Sequence, residues 1–218
     1  MALSKVDYNS LNVTAAASKA LKWNSTPNGF ETGDVGGSLV LLATETASSS
    51  ATISFTSNID STYKEYQFHC INLHPATDGE SLGFQGNAAG GSGYNETITN
   101  TFFQAYHRED GGAEGLGYES GYDQAQGTNF SRLIGNNDNA NDSCHCVVLH
   151  LFDPSNTTSV KHFLSRSSSM EDGGAGSNPV STSFTSGYFN TTSAIDEIQF
   201  KMSSGNIDSG TIKMYGVS

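Results

Sequence analysis

The sequence predicts an all-β protein, an antiparallel β-sandwich of jelly-roll type with a short N-terminal arm and long loops. Three observations carry this. Charged residues make up only 15% of the 218 residues, while glycine (24 residues), serine, threonine and asparagine abound, a composition suited to short strands joined by tight turns. From Ser38 onward, apolar or alternating runs of strand length recur between clusters of turn residues. No helix-period pattern separates those runs, so antiparallel pairing is expected rather than βαβ units.

Residues 1–30 are expected to form the arm. Thr14 to Trp23 is alanine-rich and compatible with a helical turn, and Asn24 to Gly29 is turn-like. Leu3, Tyr8, Leu11, Leu21, Trp23 and Phe30 supply its large apolar groups, which would pin it to its own domain or to a neighbouring molecule. Residues 31–218 are expected to form one sandwich domain, since no linker-like break in composition divides them.

The strand candidates follow in order. Leu39 to Thr46 comes first, then Ala51 to Thr56, with Ile53 and Phe55 on one face. In Tyr66 to Leu73, Tyr66, Phe68 and Cys70 alternate against Gln67, His69 and Ile71. Later candidates are Ser81 to Gln85, Thr97 to His107, Cys144 to Phe152, Val160 to Ser165, Phe184 to Phe189, Glu197 to Met202 and Thr211 to Tyr215. Between them, Gly86 to Gly93 and Glu109 to Asn141 read as loops, with room for short helical turns in Tyr122 to Leu133. Tyr94, Tyr118 and Tyr122 lie in or beside these loops, where aromatic faces either stack on sugars, fill a protein interface, or pack under their own loop.

Twenty-two acidic residues against ten basic ones give a formal charge of −12. Such a surface repels phosphate backbones, so nucleic acid is not an expected partner. The N-terminal residues lack the apolar core of a secretion signal and no run reaches membrane-spanning length, so synthesis in the cytoplasm and no membrane partner are expected.

Chemistry is poorly marked. Cys70, Cys144 and Cys146 are expected to be reduced core residues; together with His69, His145 and His150 they hold zinc-type donors without zinc-type spacing, because Cys144 and Cys146 are separated by one residue. Asn137, Asn139, Asn141 and Asp142 resemble a calcium loop but lack its glycine and distal glutamate, which leaves a solvated loop as the expectation. Nucleophile-elbow and phosphate-loop motifs are missing. Asp110, Glu114, Glu119 and Asp123 crowd one loop, yet no spacing makes a catalytic pair of any two. Neither catalysis nor a cofactor is expected.

Two segments carry a family likeness: Phe55-Thr-Ser-Asn-Ile-Asp-Ser-Thr-Tyr63-Lys-Glu-Tyr66 running on through Asn72 to Gly79, and Gly187 to Thr192 followed by Ile195 to Gly216. Together they resemble structural proteins of tailed bacteriophages, especially marine ones, over most of the chain after residue 30. The resemblance implies a virion protein, either a capsid decoration or head-fibre protein or a tail-fibre component, made in the host cytoplasm and commonly trimeric. It implies the major capsid protein and further copies of the chain as partners, contacted by the arm and a sandwich edge; a tail position would instead make host glycans the ligand of the loops. It brings no catalytic residues. In its C-terminal segment, Ser204 to Asn206 and Asp208 to Gly210 look like the turn of a hairpin joining Ile198, Phe200 and Met202 to Ile212 and Met214.

Overall fold

The computed structural model of the chain describes residues 19–24, 26, 29–34, 39–173 and 178–218. It divides into two compact units, Met1–Ser38 with Ser218, and Leu39–Val217.

The described part of the first unit is a hairpin of β1 (Lys19–Trp23) and β2 (Phe30–Asp34), paired antiparallel with Trp23 opposite Phe30. Those two rings stack at 4.4 Å, and the Asn24 N–H donates to the Gly29 carbonyl at 3.1 Å. Lys19 to Trp23 is thus strand where a helical turn was expected. A cross-strand aromatic pair outweighs the weak helix preference of two alanine-flanking turns. Leu3, Tyr8, Leu11 and the Thr14–Ser18 part of the expected turn lie outside the described residues.

The second unit is all β-strand: β3 (Leu39–Thr46), β4 (Ile53–Phe55), β5 (Glu65–Pro75), β6 (Leu82–Ala88), β7 (Ile98–Arg108), β8 (Glu114–Tyr118), β9 (Gln124–Gly127), β10 (Ser131–Arg132), β11 (His145–Phe152), β12 (Lys161–Met170), β13 (Pro179–Phe189), β14 (Ile195–Met202) and β15 (Ile207–Val217). Nine strands form one sheet in the order β3-β15-β5-β11-β12-β13-β7-β8, with β9 also on β7; β10-β6-β14-β4 form a four-stranded sheet. Every pair is antiparallel. The two sheets face each other as a β-sandwich.

Alternation explains the packing. Tyr66, Phe68 and Cys70 turn inward, while Gln67, His69 and Ile71 turn outward. Across the gap, Phe55 meets Phe68 at 5.3 Å, Phe68 meets Phe200 at 5.6 Å, and Phe84 meets Phe163 edge-on at 4.9 Å. Each such fully buried ring contributes roughly 1.5–3 kcal/mol through burial.

Away from this aromatic half the interior becomes polar. Ser165, Ser167 and Ser169 on β12 face Ser181, Ser183 and Thr185 on β13, all buried. Some of their hydroxyls are paired: Ser169 Oγ and Ser181 Oγ lie 2.8 Å apart, Ser181 donates to Glu171 Oε1 at 2.7 Å, and Thr185 donates to the Arg132 carbonyl at 2.9 Å, while the Ser165 and Ser183 hydroxyls have no partner among the described residues. Leu133, Ile134, Asn137 and Asp138 are buried beside them, and Asn137 bridges Glu80 to Glu171 through backbone pairing. The expected solvated loop at Gly135 to Asp142 is therefore buried only at Gly135, Asn137 and Asp138, while Asn136 and Ala140 to Asp142 are exposed as expected. Asn137 is held by backbone bridges inside the fold, whereas Asn136, Asn141 and Asp142 face water.

Three further expectations are corrected. Tyr122 to Leu133 contains β9 and β10, and no helix occurs among the described residues. The C-terminal segment is no hairpin, because β14 belongs to the four-stranded sheet and β15 to the nine-stranded one; Ser203 to Asn206 carries the chain from one layer to the other. Gly210 then sits within β15 at φ 109°, where the ladder to β5 shifts register. Finally, only Cys70 is a core cysteine; Cys144 is exposed and Cys146 half-buried, with both Sγ atoms near Asn72 Oδ1, at 3.7 and 3.8 Å. Cys144 precedes β11 and so escapes the inward alternation that buries His145.

Candidate functional site

The expected contact residues of the arm that lie within the described chain are all solvent-facing: Leu21 is 45% exposed, Trp23 62% and Phe30 39%. Stacking Trp23 on Phe30 leaves most of the indole uncovered, so the hairpin presents an aromatic surface.

In the second unit, both edges of the nine-stranded sheet carry uncovered apolar side chains. Leu39 and Leu41 project from β3, and Leu116 (75% exposed) and Tyr118 (55%) from β8. Neither edge strand contains lysine or proline, the usual guards against edge pairing. Between the edges, the outer face of this sheet forms a groove of about 820 Å³ whose lining includes His69, Ile71, Cys146, Val148, His150 and Val180. A polar chain crosses part of it: Glu65 Oε1 contacts His150 Nδ1 at 2.7 Å and accepts from Gln67 Nε2 at 2.8 Å, while Gln67 Oε1 lies 3.0 Å from His69 Nε2. Burial, with the neighbouring His150, holds the His69 imidazole below its usual pKa. The lining comes from β5, β11, β12, β13 and β7, brought into line by cross-strand register that places Val148 opposite both His69 and Arg166.

The loop tyrosines fall into a different surface. Tyr94 and Tyr122 line one polar pocket of about 470 Å³ with Asp123, Gln124, Asn129, Phe130, Arg132 and Lys201. Tyr118 stands just outside it, its hydroxyl donating to Asp123 Oδ2 at 2.5 Å, a bond that raises the phenol's pKa. Tyr94 donates to Glu197 Oε2 at 2.8 Å, and Tyr122 to Asn136 Oδ1 at 3.2 Å. The Arg132 guanidinium lies 4.2 Å from the centre of the Tyr122 ring, and Lys201 Nζ lies 4.2 Å from that of Phe130. Buried Gln85 braces the rim by donating to the carbonyls of Glu96, Thr128 and Asn129 at 2.9, 3.2 and 3.2 Å. Sequence inspection marked the tyrosines but not Arg132, Lys201 or Gln85, which come from three separate strands and share no local pattern.

The acidic cluster disperses. Asp110 pairs with Arg108 at 2.8 Å, Asp123 engages Tyr118, and Glu114 is exposed at the start of β8. His145, the residue between the outer cysteines, is fully buried with neither ring nitrogen hydrogen-bonded, and burial pulls its pKa down to about 4. Among the described residues, no three histidine, cysteine, aspartate or glutamate side chains gather as a metal site.

No protein-family model matches the chain, and no curated protein or solved structure matches it.

Proposed function

We propose that this chain is a structural protein of a tailed-phage virion, decorating the outer capsid surface through its N-terminal segment and the edges of its larger sheet. The observation that carries the proposal is the pair of open edge strands, β3 and β8, with Leu39, Leu41, Leu116 and Tyr118 uncovered on a chain of net charge −12. A strongly acidic protein keeps itself dispersed by charge. Apolar patches retained at open sheet edges then serve a surface met in the assembly. The solvent-facing Trp23–Phe30 pair supports the same role for the N-terminal segment. Many weak contacts repeated over a particle would hold the protein in place.

Decoration of particles lacking the protein tests this. Full-length chain should bind them, whereas a chain without residues 1–30 should remain folded and lose binding. Undiminished binding would remove the N-terminal segment from the proposal.

A second proposal, a tail-borne receptor-binding protein that recognises host glycans, is favoured by one observation: Tyr94 and Tyr122 converge on a single braced pocket with planar polar side chains. Binding to immobilised host polysaccharide that is lost on Tyr122→Ala would favour it over capsid decoration.

A further inference from the structure

Arg132 and Lys201 stand out in this molecule. The whole chain has ten basic residues, and among the described ones several are already engaged by carboxylates: Lys22 with Glu31, Lys64 with Asp153, Arg108 with Asp110. Arg132 and Lys201 form no ion pair, yet both line the same pocket. Each is laid across an aromatic ring, which fixes the cation by its face-on attraction to the ring and leaves its N–H groups free to donate. Arg132 is held further by its Nη1 bond to Ser81 Oγ at 3.0 Å. Two pre-positioned donors of like charge, neither held in an ion pair although Asp123 lines the same pocket, form a recognition site for an anion.

The rest of the lining fixes the ligand class. Asp123, Gln124 and Asn129 are planar groups able to bond adjacent hydroxyls. We propose that this pocket binds an acidic saccharide, with Arg132 and Lys201 on its carboxylate or sulfate and the planar side chains on its hydroxyls. This deepens the glycan-recognition reading and rests on it; it does not depend on where in a virion the protein sits.

Calorimetric titration of the full chain tests it. The probes are a hexasaccharide of alternating glucuronate and N-acetylglucosamine, the same hexasaccharide with its carboxyls reduced to alcohols, and sodium glucuronate. The acidic hexasaccharide should bind about tenfold or more tighter than the reduced one, and more weakly as salt rises. Arg132→Met and Lys201→Met should each weaken it about tenfold, Arg132→Lys and Lys201→Arg should retain most binding, and Lys64→Met should match wild type. Should the methionine variants fold poorly, amide-shift mapping on the wild-type protein locates the ligand, and shifts are expected at residues 81–83 and 121–130. Equal binding of both hexasaccharides overturns the charge recognition while leaving glycan recognition intact. Glucuronate binding as tightly as the acidic hexasaccharide overturns the saccharide assignment in favour of a bare anion site. No binding by either hexasaccharide, or shifts confined to other surfaces, overturns the proposal and the glycan-recognition reading together.

Discussion

Acidification should weaken this fold through one buried imidazole. His145 at the start of β11 is sealed in the interior, and neither ring nitrogen has a hydrogen-bond partner. Burial is the chief cause of its low pKa, and His74 adds to it by repulsion; the buried Asp138 opposes both only in part. The folded value is about 4 against an ordinary 6.5. In the unfolded chain the ring therefore takes up a proton with a midpoint near 6.5, and in the folded protein only near 4. Between those values the unfolded state binds more protons, so stability falls as pH drops through that window and levels off below it. At about 1.36 kcal/mol per unit, the full shift corresponds to about 3 kcal/mol, of which about 2 kcal/mol is lost between pH ~7 and pH ~4.5. Urea unfolding of wild type and His145→Leu at those two pH values isolates the contribution, because Glu171, whose burial raises its pKa and acts in the opposite direction, is common to both proteins. Wild type should lose about 2 kcal/mol more than His145→Leu. Equal losses in the two proteins would refute a buried neutral imidazole.

Other substitutions test the packing and the proposed surfaces. Gly210→Ala should destabilise by about 1–3 kcal/mol in thermal or urea unfolding, since φ is 109° and an added Cβ would lie 2.5 Å from the Asn72 carbonyl oxygen. Phe84→Ala should cost about 3–5 kcal/mol, because this fully buried ring touches Phe163, Phe189 and Phe200 from both sheets. Leu41→Lys with Leu116→Lys should change unfolding free energy by no more than about 0.5 kcal/mol per site and yet abolish particle decoration, measured by co-sedimentation.

Strands whose alternation pairs large apolar groups against polar ones were legible in the sequence. Tyr66, Phe68 and Cys70 fall inward as their spacing predicts, and the pattern fails only at Ile71–Leu73, where Asn72 at φ 51° lets Leu73 turn back into the core. The serine face of β12 and β13 carried no such signal, because serine is equally at home in water and a sheet interior reveals its burial only through long-range register. For the same reason Gly115, Leu116 and Gly117 of β8 passed for loop. Sheet membership was invisible too: local turn chemistry around Gly205 and Gly210 fits a hairpin as well as it fits a crossing between layers, and only the partners of β14 and β15 decide. The tyrosines of the pocket were marked by residue type, whereas its two cations needed the fold to bring β10 and β14 to opposite sides of β6.

The most direct test of the proposed role is the amount of this chain in purified virions, measured by quantitative mass spectrometry against the major capsid protein. Decoration of the capsid surface predicts copies in fixed, high proportion to capsid subunits; a trace amount or complete absence from the particle would contradict it.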